Sequence, residues 1–196
     1  MTKREARAQA RTLRAAMDMQ AVGRGMAAVL FPLPCWAAAG TVLAFAAMPD
    51  EPDTAAILCQ ALADGKHLLL PRVLSKTAMD WVEIPDLALL RPGAFGILEP
   101  PADLPAADPA VFARPLALIP CLAAGHDGVR LGRGGGYYDR FLSAFRGVTV
   151  GICYTACTQW RLPHGRYDRQ IQLLITEKYI RRTYTRGAEN GGSHER

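Results

Sequence analysis

Ten consecutive residues, Arg130-Leu131-Gly132-Arg133-Gly134-Gly135-Gly136-Tyr137-Tyr138-Asp139, concentrate the chemistry of this 196-residue chain. They hold four glycines, two arginines, two tyrosines and one aspartate. Glycine lets backbone adopt positive φ and lets a ligand approach the main chain closely. After Gly136, Tyr137, Phe141, Leu142 and Phe145 recur at helical spacing, so the loop is expected to run into a helix N-terminus. Free N–H groups and the helix dipole favour an anion there. Arg130 and Arg133 add planar, doubly donating positive charge suited to phosphate. Asp139 is the acid of the cluster, and a carboxylate beside phosphates is what Mg²⁺ takes as ligand. The loop is neither a Walker A sequence, since no Gly-Lys-Ser/Thr follows, nor a GxGxxG dinucleotide fingerprint.

The elements that must position this loop can be read from patterning. Thr2-Lys3-Arg4-Glu5 is a capping box that predicts a first helix. Ala6, Ala10, Leu13 and Met17 should share its apolar face, and Lys3, Arg7, Arg11 and Arg14 should form one basic stripe. For Arg11 and Arg14 a solvated face is the expectation. A second helix is expected over 21–30, ended by Pro32 and Pro34. The continuous apolar run over 41–47 reads as a buried parallel strand, 66–72, 116–120, 148–154 and 171–175 read as further strands, and 79–84 alternates like an antiparallel or edge strand. Asp53 or Thr54 is placed to cap a helix over 55–63, and 177–184 is expected to be helical. Strands alternating with helices predict a largely parallel sheet between helical layers. In such sheets ligand groups collect beyond the carboxyl ends of strands, which singles out the acids after the first strand, Glu51 among them, with Phe45 near the strand's end. A core role for Phe45 stands beside that reading.

Composition excludes several classes. Half the residues are apolar and 21% are charged, as in a soluble globular protein. No apolar run is long enough to span a bilayer and no signal-type core follows the basic N-terminus, so the expected location is the cytoplasm. The five cysteines lack paired CxxC spacing and read as free thiols, largely buried. The net charge of +5 is terminal: residues 1–14 carry +4, residues 178–196 carry +3, and the body carries −2. A broad nucleic-acid face is therefore not expected. One domain over 1–185 with a disordered polar tail over 186–196 is the expected organisation.

The run Arg130–Asp139 resembles the signature of the 5-formyltetrahydrofolate cyclo-ligase family, also called methenyltetrahydrofolate synthetase. The resemblance extends from about Lys3 to Glu177. It includes the Lys3-x-x-x-Arg7 pair, Glu51-x-x-Thr54, Lys66 through Pro71-Arg72, Phe95-Gly96-Ile97-Leu98-Glu99-Pro100, and Pro163 through Asp168. It implies a three-layer Rossmann-like α/β sandwich of the sugar-phosphate isomerase/CoA-transferase type. It implies ATP- and Mg²⁺-dependent conversion of 5-formyltetrahydrofolate to 5,10-methenyltetrahydrofolate with release of ADP and phosphate, by a monomer without nucleic-acid or membrane partners. Carried onto this chain, ATP is held by Lys3, Arg7, Arg130, Leu131, Gly132, Arg133, Gly134, Gly135, Gly136, Tyr137 and Tyr138. Folate meets Phe45, Ala46, Glu51, Arg133, Gly134, Gly135, Gly136 and Tyr137. Arg133 and Tyr137 serve catalysis, and Asp139 and Asp168 hold Mg²⁺.

The chain also departs from that pattern. Family members have Pro-Gly-x-x-Phe-Asp before the loop; here Pro120-Cys121-Leu122-Ala123-Ala124-Gly125 stands instead, with Asp127 nearby as a possible substitute. Tyr167 replaces a family His, Cys157 a Gln and Gln172 an Asp. These losses sustain a rival reading, a non-catalytic relative that binds nucleotide or RNA through its basic ends. A second rival, an ATP-independent isomerase or CoA-transferase, leaves the Arg-Gly-Tyr-Tyr-Asp loop unexplained.

Overall fold

The computed structural model describes residues 1–93 and 96–183. Its helices are α1 (Lys3–Arg14), α2 (Met19–Leu30), α3 (Pro34–Ala38), α4 (Ala55–Ala63) and α5 (Tyr137–Ala144). Its strands, in chain order, are β1 (Thr41–Leu43), β2 (His67–Val73), β3 (Met79–Glu83), β4 (Arg91–Pro92), β5 (Leu98–Glu99), β6 (Pro115–Pro120), β7 (Ala123–Gly125), β8 (Arg130–Leu131), β9 (Val148–Ile152), β10 (Thr158–Gln159), β11 (Leu173–Ile175) and β12 (Ile180–Arg182). The tail over 186–196 and Phe95 of the family-like segment lie outside the described residues.

Seven strands form the central sheet in the order β12-β11-β9-β6-β1-β2-β3. The five inner strands are parallel; β3 and β12 run antiparallel at the two edges. Alternation across the pleat sends neighbouring residues to opposite layers. Val42, Leu68, Leu70, Leu116 and Leu118 pack with Met26, Leu30 and Ile57 of α2 and α4. Leu43, Leu69, Ala117 and Ile119 pack with Ala6 and Ala10 of α1 and, more peripherally, Tyr138 and Phe141 of α5. Two helical layers thus sandwich the sheet, as the patterning and the family resemblance both require. A small second sheet, β10-β7-β8, carries the chain into the glycine-rich loop.

The capping box forms as written: Thr2 Oγ1 accepts from Glu5 N at 3.2 Å, and Glu5 Oε2 accepts from Thr2 N at 2.8 Å. Several expectations need correction. Leu13 is exposed, and the buried line of α1 is Ala6, Ala10 and Arg14, so Arg14 is not on a solvated face. The segment expected to be helical over 177–184 instead turns back as β12, because Ile180–Arg182 pairs with the open edge of β11. The first strand ends at Leu43: Ala44 N still donates to Leu69 O, but Phe45 O is taken by Thr54 Oγ1 at 2.7 Å and the chain leaves the sheet. Thr54 is the N-cap residue of α4 but makes no side-chain capping bond; Asp53 Oδ1 accepts from Ala55 N at 2.9 Å instead. Cys121, Cys153 and Cys157 are buried free thiols, whereas Cys59 is exposed. No helix among the described residues is long and apolar enough to cross a membrane.

Candidate active site

The inner strands place β1 and β2 on one side and β6, β9 and β11 on the other, so the chain changes direction between β1 and β6. Their carboxyl ends diverge there, and that crevice is where open α/β sheets bind ligands. A cleft of about 1060 Å³ opens at this place, at the upper end of what small-molecule sites usually enclose. Every residue that the sequence reading assigns to ATP, folate or metal lines it: Lys3 and Arg7 from α1, Phe45, Ala46 and Glu51 after β1, the whole run Arg130–Asp139, and Asp168.

The loop is shaped by its glycines. Gly134 has φ +109° and Gly136 has φ +69°, both in the region that side chains avoid. Gly136 is the N-cap of α5 and supplies no side-chain capping bond, so the first N–H groups of the helix lack intrahelical partners. Arg7 Nε donates to Gly132 O at 2.9 Å and Arg140 Nη2 to Gly135 O at 2.8 Å, which draws two loop carbonyls outward toward cations. Tyr137 OH donates to Ser75 O at 2.7 Å and ties the loop to the β2–β3 hairpin. Tyr138 packs edge-on to Trp81 with centroids 6.5 Å apart, and burial holds its phenol far above the usual tyrosine range.

The charges sort into pairs across elements. Arg130, with only 3% of its side chain exposed, donates to Asp139 Oδ1 at 2.9 Å, and Arg169 N donates to the same oxygen at 3.0 Å. Lys3 Nζ and Gly165 N both bond Asp168 Oδ2. Burial would raise the Asp168 carboxyl, but the Lys3 and Gly165 bonds, with the charges of Lys3 and Arg130, hold it below the usual range. Arg133 Nε reaches Glu51 Oε1 at 3.3 Å and its Nη2 bonds Asp50. Glu51 is buried and its Oε2 also accepts from Met48 N at 3.1 Å.

Asp139 Oδ2 and Asp168 Oδ1 carry no hydrogen bond among the described residues. One spare oxygen on each of two cleft carboxylates fits Mg²⁺, which keeps several waters and takes few protein ligands. No group of three or more His, Cys, Asp or Glu among the described residues is placed to hold a metal by itself. A thiol nucleophile is not offered: burial pushes Cys121, beside the cleft, up to about 11.

Asp127 does not take the place of the missing family acid in the cleft. Its Oδ1 accepts from Val129 N at 3.2 Å within the β7–β8 turn, occupying the space a side chain at Gly125 would need. The sequence reading missed part of the lining. Arg11, Lys76 and Arg169 add cations, and Met79, Ile97 and Leu98 add an apolar wall. The alternation of residues 79–84 and the family-like segment containing Ile97 and Leu98 marked parts of that wall without assigning them to the cleft. Arg11 belongs to the basic stripe of α1 but carried the expectation of a solvated face, while Lys76 and Arg169 stand singly in hairpin and loop with no motif to mark them.

The family model described as the 5-formyltetrahydrofolate cyclo-ligase family matches residues 1–177. Among curated proteins, the 5-formyltetrahydrofolate cyclo-ligase of Mycolicibacterium smegmatis is 37% identical over 109 residues, 52% of this chain; that alignment spans only 54% of the mycobacterial protein. The mouse protein of the same name is 33% identical over 144 residues, covering 68% of this chain and 71% of the mouse protein. Among solved structures, the 5,10-methenyltetrahydrofolate synthetase of Aquifex aeolicus superposes with a TM-score of 0.81 at 29% identity, over 100% of this chain and 97% of that one. The Mycoplasma pneumoniae synthetase, 21% identical with a TM-score of 0.69, shares the fold.

Proposed function

This chain belongs to the 5-formyltetrahydrofolate cyclo-ligase family, a family of enzymes, and from that premise we propose that its cleft converts 5-formyltetrahydrofolate to 5,10-methenyltetrahydrofolate at the expense of ATP. The observation that carries the reading is convergence: residues from four separate segments, each expected to serve this one reaction, line a single cleft at the switch point of the sheet.

The chemistry explains why such a cleft needs no nucleophile. Nitrogen donation makes a formamide a poor electrophile. Transfer of the γ-phosphoryl group to the formyl oxygen releases ADP and turns that oxygen into part of a leaving group. N10 then attacks the formyl carbon, the ring closes, and the oxygen departs with phosphate. The protein supplies positioning and positive charge, as in other phosphoryl transfers.

In this reading the loop amides, Lys3, Arg7 and Arg130 hold the triphosphate. Arg133 lies between the acids of the β1 turn and the loop, where its fork can serve the phosphoryl group and the formyl oxygen. Glu51 and the Phe45–Ala46 wall receive the folate, and Tyr137 closes the site against the hairpin. Asp139 and Asp168 would hold Mg²⁺ through their spare oxygens; the ion, when bound, neutralises charge on the triphosphate. The nucleic-acid reading is disfavoured because Lys3 and Arg7 are committed to the cleft and Arg14 is buried.

The test is direct. Purified protein with 5-formyltetrahydrofolate, Mg²⁺ and ATP should give the near-ultraviolet absorbance of the methenyl product, and omission of ATP should abolish it. Absence of an ATP-dependent rise, with salt-sensitive RNA binding instead, would return the chain to the non-catalytic reading.

A further inference from the structure

Arg14 ends α1 with 1% of its surface exposed, yet no acidic side chain bonds it among the described residues. Its Nη1 donates to Asp50 O at 2.9 Å and its Nη2 donates to Cys121 O. The guanidinium carbon lies 4.9 Å from the centre of the Tyr154 ring, and Nε is buried without a hydrogen-bond partner among the described residues. A buried cation is a costly way to pack a helix against a sheet, since an apolar side chain of similar volume serves at least as well. What the guanidinium fork does that an apolar residue cannot is hold two carbonyls at a fixed separation.

The two carbonyls belong to the two walls of the crevice. Asp50 lies in the turn after β1, which contributes Met48 and Glu51 to the cleft; Cys121 follows β6, between the lining residues Pro120 and Leu122. We propose that Arg14 is a positioning residue, a strut that sets the distance between the β1 and β6 walls and so places Glu51 for the folate. Lys3 and Arg7 are anchored separately, to Asp168 and to Gly132 O, so the nucleotide side of the cleft does not depend on the strut. The consequence for turnover rests on the cyclo-ligase reading; the strut itself does not.

The substitutions are Arg14→Lys, which keeps the charge but loses the fork, and Arg14→Gln, which removes the charge. Amide hydrogen exchange is followed at Glu51, whose N–H bonds Met48 O, and at Cys121, whose N–H bonds Ile152 O. Protection at these two segments should fall at least tenfold in Arg14→Lys while α2 and α4 keep theirs. Because small misplacements near reacting groups are amplified in rate and binding, the KM for 5-formyltetrahydrofolate should rise on the order of tenfold. The KM for ATP should stay within about twofold. Unchanged exchange at both segments overturns the proposal, as does a uniform loss of protection with both KM values rising together, which is what a purely structural residue would give. A wild-type protein with no turnover would sink the cyclo-ligase reading, and the exchange data would still decide the strut.

Discussion

Replacing Asp139 by Asn separates two roles of one carboxylate, an ion pair seen in the structure and a proposed metal contact. The first is the pairing with Arg130, whose side chain is 3% exposed against 23% for Asp139. Removing one partner of a buried ion pair outright costs about 3–5 kcal/mol. Asn keeps an acceptor for Arg130 Nη2 and for Arg169 N, so only the charge assistance is lost, about 1–2 kcal/mol. At roughly 2–4 °C per kcal/mol for a chain of this size, Asp139→Asn should melt about 2–8 °C lower, and Asp139→Ala lower still. The second is the proposed hold on Mg²⁺ through Oδ2, and loss of an electrostatic stabiliser of that kind lowers kcat by on the order of 10²–10³. Turnover is assayed by methenyl absorbance across a magnesium titration, and melting by circular dichroism. The variant should need more Mg²⁺ and remain slow when saturated. Arg133→Lys is the control: its side chain is 35% exposed, so melting should hold while activity falls with loss of the planar fork. Full turnover of Asp139→Asn at limiting Mg²⁺ would refute the metal assignment. An unchanged melt for Asp139→Ala would refute the claim that Asp139 is what compensates Arg130.

Three further outcomes are expected. Glu51→Gln places an amide donor against Arg133 Nε while keeping the bond from Met48 N, so the folate KM should rise about five- to thirtyfold for the ~1–2 kcal/mol involved; equal rises for folate and ATP would reduce Glu51 to a structural acid. The Asp168 carboxyl is held below its ordinary value, so the Lys3 tie contributes stability above the unfolded-state value of about 3.9 and loses it as pH falls through the lower folded value. The difference in melting temperature between wild type and Asp168→Asn should therefore hold while exposed carboxylates titrate and close at lower pH; a difference that closes at the ordinary carboxylate pH would contradict it. Gly134→Ala must adopt φ +109° with a side chain and should lower activity through a distorted loop at a strain of roughly 1–3 kcal/mol; wild-type kinetics would show that the loop tolerates another path.

What the sequence determined by itself were features whose cause is local or compositional. The capping box needs only Thr2 and Glu5 at the right separation, and it forms. Runs such as Leu116 to Ile119 are apolar on both faces because helices cover both faces, so a parallel sheet was legible. The loop was legible because its glycines and arginines are contiguous, and contiguity survives folding. What the tertiary structure decided were partners distant in sequence. Arg14 looks like the next cation on a basic stripe, and only the seating of α1 over the ends of β1 and β6 turns it inward. Ile180–Arg182 has no strand-like pattern strong enough to outweigh a helical reading, and the free edge of β11 decides it. Arg133 meets Glu51 and Lys3 meets Asp168 through the way loop, turn and helix fold over one another. Charge pairs across the switch point depend on strand order, and strand order is a property of the whole chain's packing rather than of any window in it.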